Sequence, residues 1–203
     1  MGMVALVTQL NDETMERLIA DPPLVWRVIA PDDLPMYERA RAEAGPRKPG
    51  FVARLFGAQS PPPAAVAPFA LGDGEGKETY LDKAWHGIHF LLTGKAEEGD
   101  PPLDFLLSGG REIGDEDVGM GPARVFSASE TRTIAAALAA LGDDDLRGRF
   151  DPQAMEAADV YPDVIWVRDG EEALSYVMTY FGALRESVME AAGTNRGLMV
   201  TLS

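Results

Sequence analysis

The most regular apolar pattern in this chain runs from Thr79 to Gly94, and it constrains the fold more than any other segment. At about 100° per residue, Leu81, Ala84, Trp85, Ile88, Leu91 and Leu92 fall on one side of a helix over Tyr80–Gly94, and Gly94 supplies its C-terminal stop. Asp82, His86, His89 and Thr93 make a neighbouring polar stripe, about 60° wide at the same period. A half-buried helix of this kind needs a second layer over its apolar side. It also carries both histidines of the chain.

The rest of the sequence supplies that layer. Met3–Leu10 alternates weakly and reads as an opening strand, and Asn11 caps a short helix in which Met15, Leu18 and Ile19 share a face before Pro22-Pro23 stops it. Ala123–Phe126 reads as a strand, followed by a capping box, Ser127 with Glu130, that opens a helix over Ala128–Leu141. Asp143–Phe150 and Pro152–Ala158 read as short helices, and Val164–Val167 as a short strand. The last helix starts near Asp169 and Glu172. Leu174, Val177, Phe181, Leu184 and Val188 recur along it at three- or four-residue spacing, Gly193 ends it, and Leu198–Leu202 closes the chain as a strand.

Between these parts lie two irregular segments. Residues 31–79 hold most of the prolines and a basic interlude from Arg47 to Arg54; they read as an insertion with helical pieces at Leu34–Glu43 and Phe51–Phe56. Pro101–Ser108 reads as one more short helix, and Gly109–Pro122 as a glycine-rich acidic loop. Four short strands among six or more helices, without strict β-α-β alternation, predict an α+β fold with a small mixed or antiparallel sheet. The 203 residues fit one domain, 1–203, carrying that insertion.

Charge narrows the functional classes. The net charge is −15, and it is uneven: residues 1–60 hold eight acids and seven bases, whereas 61–203 hold twenty-five acids and eleven bases. Such a field repels phosphate backbones and attracts basic partners, which argues against nucleic acid. No stretch approaches the roughly 18 apolar residues of a membrane span. Met1–Thr8 lacks a basic leader, so the expected compartment is the cytoplasm. The absence of cysteine removes thiolate nucleophiles and Cys-ligated zinc, and no cofactor motif appears.

Two constellations could carry chemistry. Asp82, His86 and His89 lie at i, i+4 and i+7 on one helix face, a spacing that can converge on a ligand or proton; packed, hydrogen-bonded histidines beside Trp85 are the plainer reading, and a metal is disfavoured because a fourth ligand is missing. In the Gly109–Pro122 loop, Glu112, Asp115, Glu116 and Asp117 are framed by Arg111 and Arg124. The acids there disfavour phosphate, and the spacing is not that of a calcium loop. The candidate binding residues are therefore Asp82, Trp85, His89, Asp115 and Arg124, with a small-molecule pocket expected between the helix and the loop.

Met1-Gly-Met, Leu81–Gly94, Gly119–Phe126, Phe150-Asp-Pro, Val160-Tyr-Pro and Ile165-Trp166 together resemble the YfbM-like family, a bacterial domain of unknown function. The resemblance spans most of the chain apart from 31–79, and implies a small intracellular protein of mixed α and β structure. It brings no activity with it. The family's histidine-bearing helix maps onto Trp85, His89, Thr93 and Gly94, which places His89 above His86 as the ligand-facing or structural residue.

Three functional readings follow. The first is a non-catalytic protein that binds a basic partner through its acidic surface, like an antitoxin or immunity protein. The second is an enzyme or small-ligand binder with its pocket near His89 and Arg124. The third is a scaffold without a ligand.

Overall fold

The structure is a computed structural model and describes residues 2–44 and 69–203. Five strands form one sheet: β1 (Ala5–Leu10), β2 (Glu78–Tyr80), β3 (Arg111–Asp117), β4 (Pro122–Phe126) and β5 (Gly197–Leu202). Their order is β2-β1-β5-β4-β3, and every pairing is antiparallel. The two ends of the chain thus make the middle of the sheet, with Ala5 opposite Leu202 and Leu10 opposite Gly197. The α+β class is as the sequence predicts, with one strand more than the four expected.

The helices among the described residues are α1 (Asp12–Ala20), α2 (Trp26–Ile29), α3 (Leu34–Ala44), α4 (Trp85–Thr93), α5 (Ala128–Ala139), α6 (Asp143–Arg147), α7 (Pro152–Ala157), α8 (Trp166–Asp169) and α9 (Glu171–Gly193). Strand alternation sends successive side chains to opposite faces, and both faces are covered. Ala5, Val7, Phe126, Leu198 and Val200 pack with Ile88 and Leu91 of α4, Ile134 and Leu138 of α5, and Val177 and Leu184 of α9. On the other face Leu10, Ala123, Val125 and Met199 meet Met15 and Leu18 of α1, Val28 of α2 and Tyr37 of α3. One buried polar residue bridges the layers: Gln9 donates through Nε2 to the carbonyl and Oγ of Ser187 on α9, each at 3.2 Å.

Local signals explain the ends of these helices. Asn11 Oδ1 accepts from the Thr14 N–H at 2.7 Å, and the Ser127–Glu130 capping box is complete in both directions.

Several expectations are corrected. The Tyr80–Gly94 helix splits: Glu78–Tyr80 pairs with β1, Asp82–Ala84 makes a 3₁₀ turn, and only Trp85–Thr93 is α-helical. It is also buried rather than half-buried, because α9 and the surrounding helices cover it on several sides. Pro101–Ser108 is a run of turns, since the carbonyls of Phe105, Leu106 and Ser108 accept hydrogen bonds from the Arg124 side chain. Half of the Gly109–Pro122 loop is β3, which β4 recruits through the pairs Arg111–Val125, Glu112–Arg124 and Asp117–Pro122 around an irregularity. Val164–Val167 is no strand; Trp166 opens α8 and is sealed in the core while Val164 and Val167 face solvent. Leu34–Glu43 is helical as α3, and Phe51–Phe56 lies outside the described residues.

Candidate functional site

Helix α4 is placed by its glycines. A Cβ on Gly87 would lie 2.5 Å from Cη2 of Trp166 and 3.0 Å from Val177, so only glycine lets α4 approach α8 and α9 this closely. Gly94, at φ 75°, ends the helix in the left-handed conformation.

The two histidines on this helix have different surroundings. His86 has both ring nitrogens engaged: Nδ1 accepts from the Tyr161 N–H at 2.9 Å, so Nε2 carries the proton and donates to the Ala96 carbonyl at 2.6 Å. Its ring stacks on Trp85 with centroids 4.8 Å apart, and Trp85 donates through Nε1 to the Met3 carbonyl at 3.2 Å. The Met3 N–H in turn donates to the Tyr161 hydroxyl at 3.1 Å. His86, ranked below His89 in the sequence, therefore fastens α4 to Ala96 and Tyr161, while Trp85 ties the same helix to Met3. The signal available to find it is its place beside Trp85 in one aromatic stretch.

His89 is fully buried. Its Nε2 faces the Glu98 carbonyl at 3.3 Å, which makes Nε2–H the donor and leaves Nδ1 as a buried acceptor without a partner. Burial holds the imidazole's pKa down to about 4; the Glu98 carbonyl opposes this, and coupling to the nearby His86 and to the Arg124 guanidinium adds to it. His89 is thus neutral at physiological pH.

Arg124 projects from β4 toward the same region and is consumed by backbone. Nη1 donates to the carbonyls of Phe105, Ser108 and Gly109 at 3.1, 2.6 and 3.2 Å, and Nη2 to that of Leu106 at 2.6 Å. Burial lowers its pKa while Asp104 and Glu112 favour the charged form. The guanidinium closes the turn region that precedes β3.

Asp82 and Asp115 stand apart from this pair. Asp82, at φ 47°, accepts from the Tyr176 hydroxyl at 2.9 Å on α9 and from the Tyr80 hydroxyl at 3.4 Å. Asp115 is exposed on β3, an edge strand. Of the five candidates, the structure brings Trp85, His89 and Arg124 to one region and leaves the two aspartates outside it. No group of three His, Cys, Asp or Glu side chains able to hold a metal occurs among the described residues. None of the described helices is long and apolar enough to cross a membrane.

An open groove lies elsewhere. Between β2 and α9 runs a groove of about 320 Å³, with Thr79 and Tyr80 on the strand side and Glu186, Ser187 and Glu190 on the helix side. Tyr80 is half exposed there, and Lys77 pairs with Glu190, which also accepts from Gln9 at 3.3 Å. A smaller hollow of about 130 Å³ adjoins the start of α5, where Arg111 pairs with Glu16. The sequence does not announce the groove, because β2 is only three residues long and follows a glycine-rich stretch. Its one sequence signal is Thr79-Tyr80, two residues that favour strands.

Among solved structures, the chain is similar to the protein of unknown function YfbM from Escherichia coli, with a TM-score of 0.61 at 14% identity, covering 98% of this chain and 99% of that one. At that identity the likeness shows the fold alone. No curated protein matches the chain. Residues 1–201 match the family described as Domain of unknown function (DUF1877), and the chain belongs to that family.

Proposed function

We propose that this chain is a non-catalytic cytoplasmic binding protein that engages a basic protein through its acidic surface, in the manner of an immunity protein or antitoxin. The observation that supports this most is where its charge sits: Glu97, Glu98, Asp143, Asp144, Asp145, Glu156, Asp163, Glu171 and Glu172 are all exposed, in a chain of net charge −15. Opposite potential steers a basic partner to such a surface and weakens as salt screens it. The histidines fit this reading, because His86 is bonded on both nitrogens and His89 is sealed.

One observation favours the second reading, a small-ligand pocket or enzyme site near His89 and Arg124: the unpartnered Nδ1 of His89. Weighing against it, Arg124 donates to four backbone carbonyls and His89 has no exposed surface.

Affinity capture from lysate with the immobilised chain at low and high salt tests the first reading. Basic proteins should be retained at low salt and released at high salt; retention of none at low salt contradicts it.

A further inference from the structure

The sheet ends at β2, which has β1 on one side and no strand on the other among the described residues. The ladder shows which backbone groups it leaves over. Gln9 donates to the Lys77 carbonyl at 3.0 Å and Leu81 donates to the Ala5 carbonyl at 2.9 Å. Antiparallel alternation therefore turns the N–H and C=O of Thr79 toward β1 and those of Glu78 and Tyr80 away from it. Such an edge is a template for one more strand.

The groove beside this edge selects what that strand carries. On α9, Ala183, Glu186, Ser187 and Glu190 form one stripe at helical spacing and supply its helix wall. Glu186 is exposed, and the Glu190 carboxylate already holds an ammonium, that of Lys77. Tyr80, half exposed, adds an aromatic face to it. Carboxylates beside exposed tyrosine suit lysine and arginine side chains.

From the edge of β2 that no other described strand covers and the acidic groove with Tyr80 beside it, we infer that an extended basic segment of a partner protein adds to β2 as a sixth strand, with alternate lysine or arginine side chains lying along the groove toward Glu186 and Glu190. This rests on the acidic-surface reading above and names its site and the form of its partner.

The test uses the full chain and a short fluorescein-labelled peptide of alternating lysine and threonine, read by anisotropy, with a glutamate–threonine peptide as control. The lysine peptide should bind, lose affinity as salt rises from about 20 to about 300 mM, and leave the control unbound. Glu186→Lys should weaken binding roughly tenfold or more. Glu78→Pro should weaken it more than Glu78→Gln, because both remove the carboxylate while only proline removes the outward N–H and leaves the bonds to β1 in place. Glu38→Lys, at an exposed position on α3, should change it less than about twofold. If Glu186→Lys and Glu38→Lys weaken binding equally, the groove is overturned and the general acidic-surface reading stands. A chain that binds no peptide yet still captures basic proteins from lysate likewise overturns the groove and leaves the general reading standing. A concentration-dependent dimer abolished by Glu78→Pro would assign the edge to a second copy and overturn the proposal too.

Discussion

Replacing His89 with leucine separates a histidine kept for folding from one kept for proton chemistry. The ring is fully buried, and burial holds its pKa down to about 4 against an unfolded value near 6.5. Between those values the unfolded chain binds the proton and the folded chain does not, so stability is complete above about pH 6.5 and falls as pH drops toward 4. At pH 5 the two pKa values give a loss of about 2 kcal/mol from this residue alone. Near neutral pH the leucine variant loses a long 3.3 Å hydrogen bond to Glu98 but no longer buries an unpaired Nδ1. Those terms oppose each other at about 1 kcal/mol each, so the variant should lie within about 1 kcal/mol of wild type. Urea unfolding followed by the fluorescence of Trp26, Trp85 and Trp166 measures both chains. Between pH 7.5 and pH 5, wild type should lose about 2 kcal/mol more than His89→Leu. His86, whose pKa burial also lowers, is present in both chains, so the effect of its own burial cancels and only its coupling to His89 enters the difference. Equal losses in the two chains would refute the reasoning.

Further substitutions probe the packing around this helix. Gly87→Ala gains about 1 kcal/mol of helix propensity but drives a methyl into Trp166 and Val177, so a net destabilisation of about 1–2 kcal/mol is expected in the same unfolding assay. Arg124→Leu leaves the carbonyls of Phe105, Leu106, Ser108 and Gly109 without their donor and should cost about 3 kcal/mol, with amide exchange rising first across residues 103–110. Ser127→Ala removes half of a capping box and should lower stability by about 1 kcal/mol.

The elements legible in the sequence carry their own local signals. Asn11 with its acidic first turn, the Ser127–Glu130 box and the long apolar stripe of α9 each specify a helix without reference to the rest of the chain. The elements that escape such reading are made by their neighbours. β3 buries Ile113 alone along Arg111–Asp117 and is a strand because β4 pairs with it. Residues 101–108 have an apolar pattern fit for a helix, yet their carbonyls turn to a side chain some twenty positions downstream. Val164–Val167 has a strand's composition, but Trp166 enters the core, bonded through Nε1 to the Val160 carbonyl at 2.6 Å, and the residues around it follow a turn. Tertiary contact overrides propensity in all three. For the candidate site, periodicity places Trp85 and His89 together. It cannot settle Asp82, because that residue sits in a left-handed turn before α4 begins.

If the histidine helix serves the fold and the binding surface lies at the β2 edge, the two regions respond differently to a basic peptide. Amide chemical shifts of the isotope-labelled chain, followed during titration with the lysine–threonine peptide, test this most directly. The predicted result is a set of saturable shifts over Glu78–Tyr80 and along Ala183–Glu190, with His86, His89 and Arg124 unmoved. Shifts centred on His89 and Arg124, with the β2 edge silent, would contradict it.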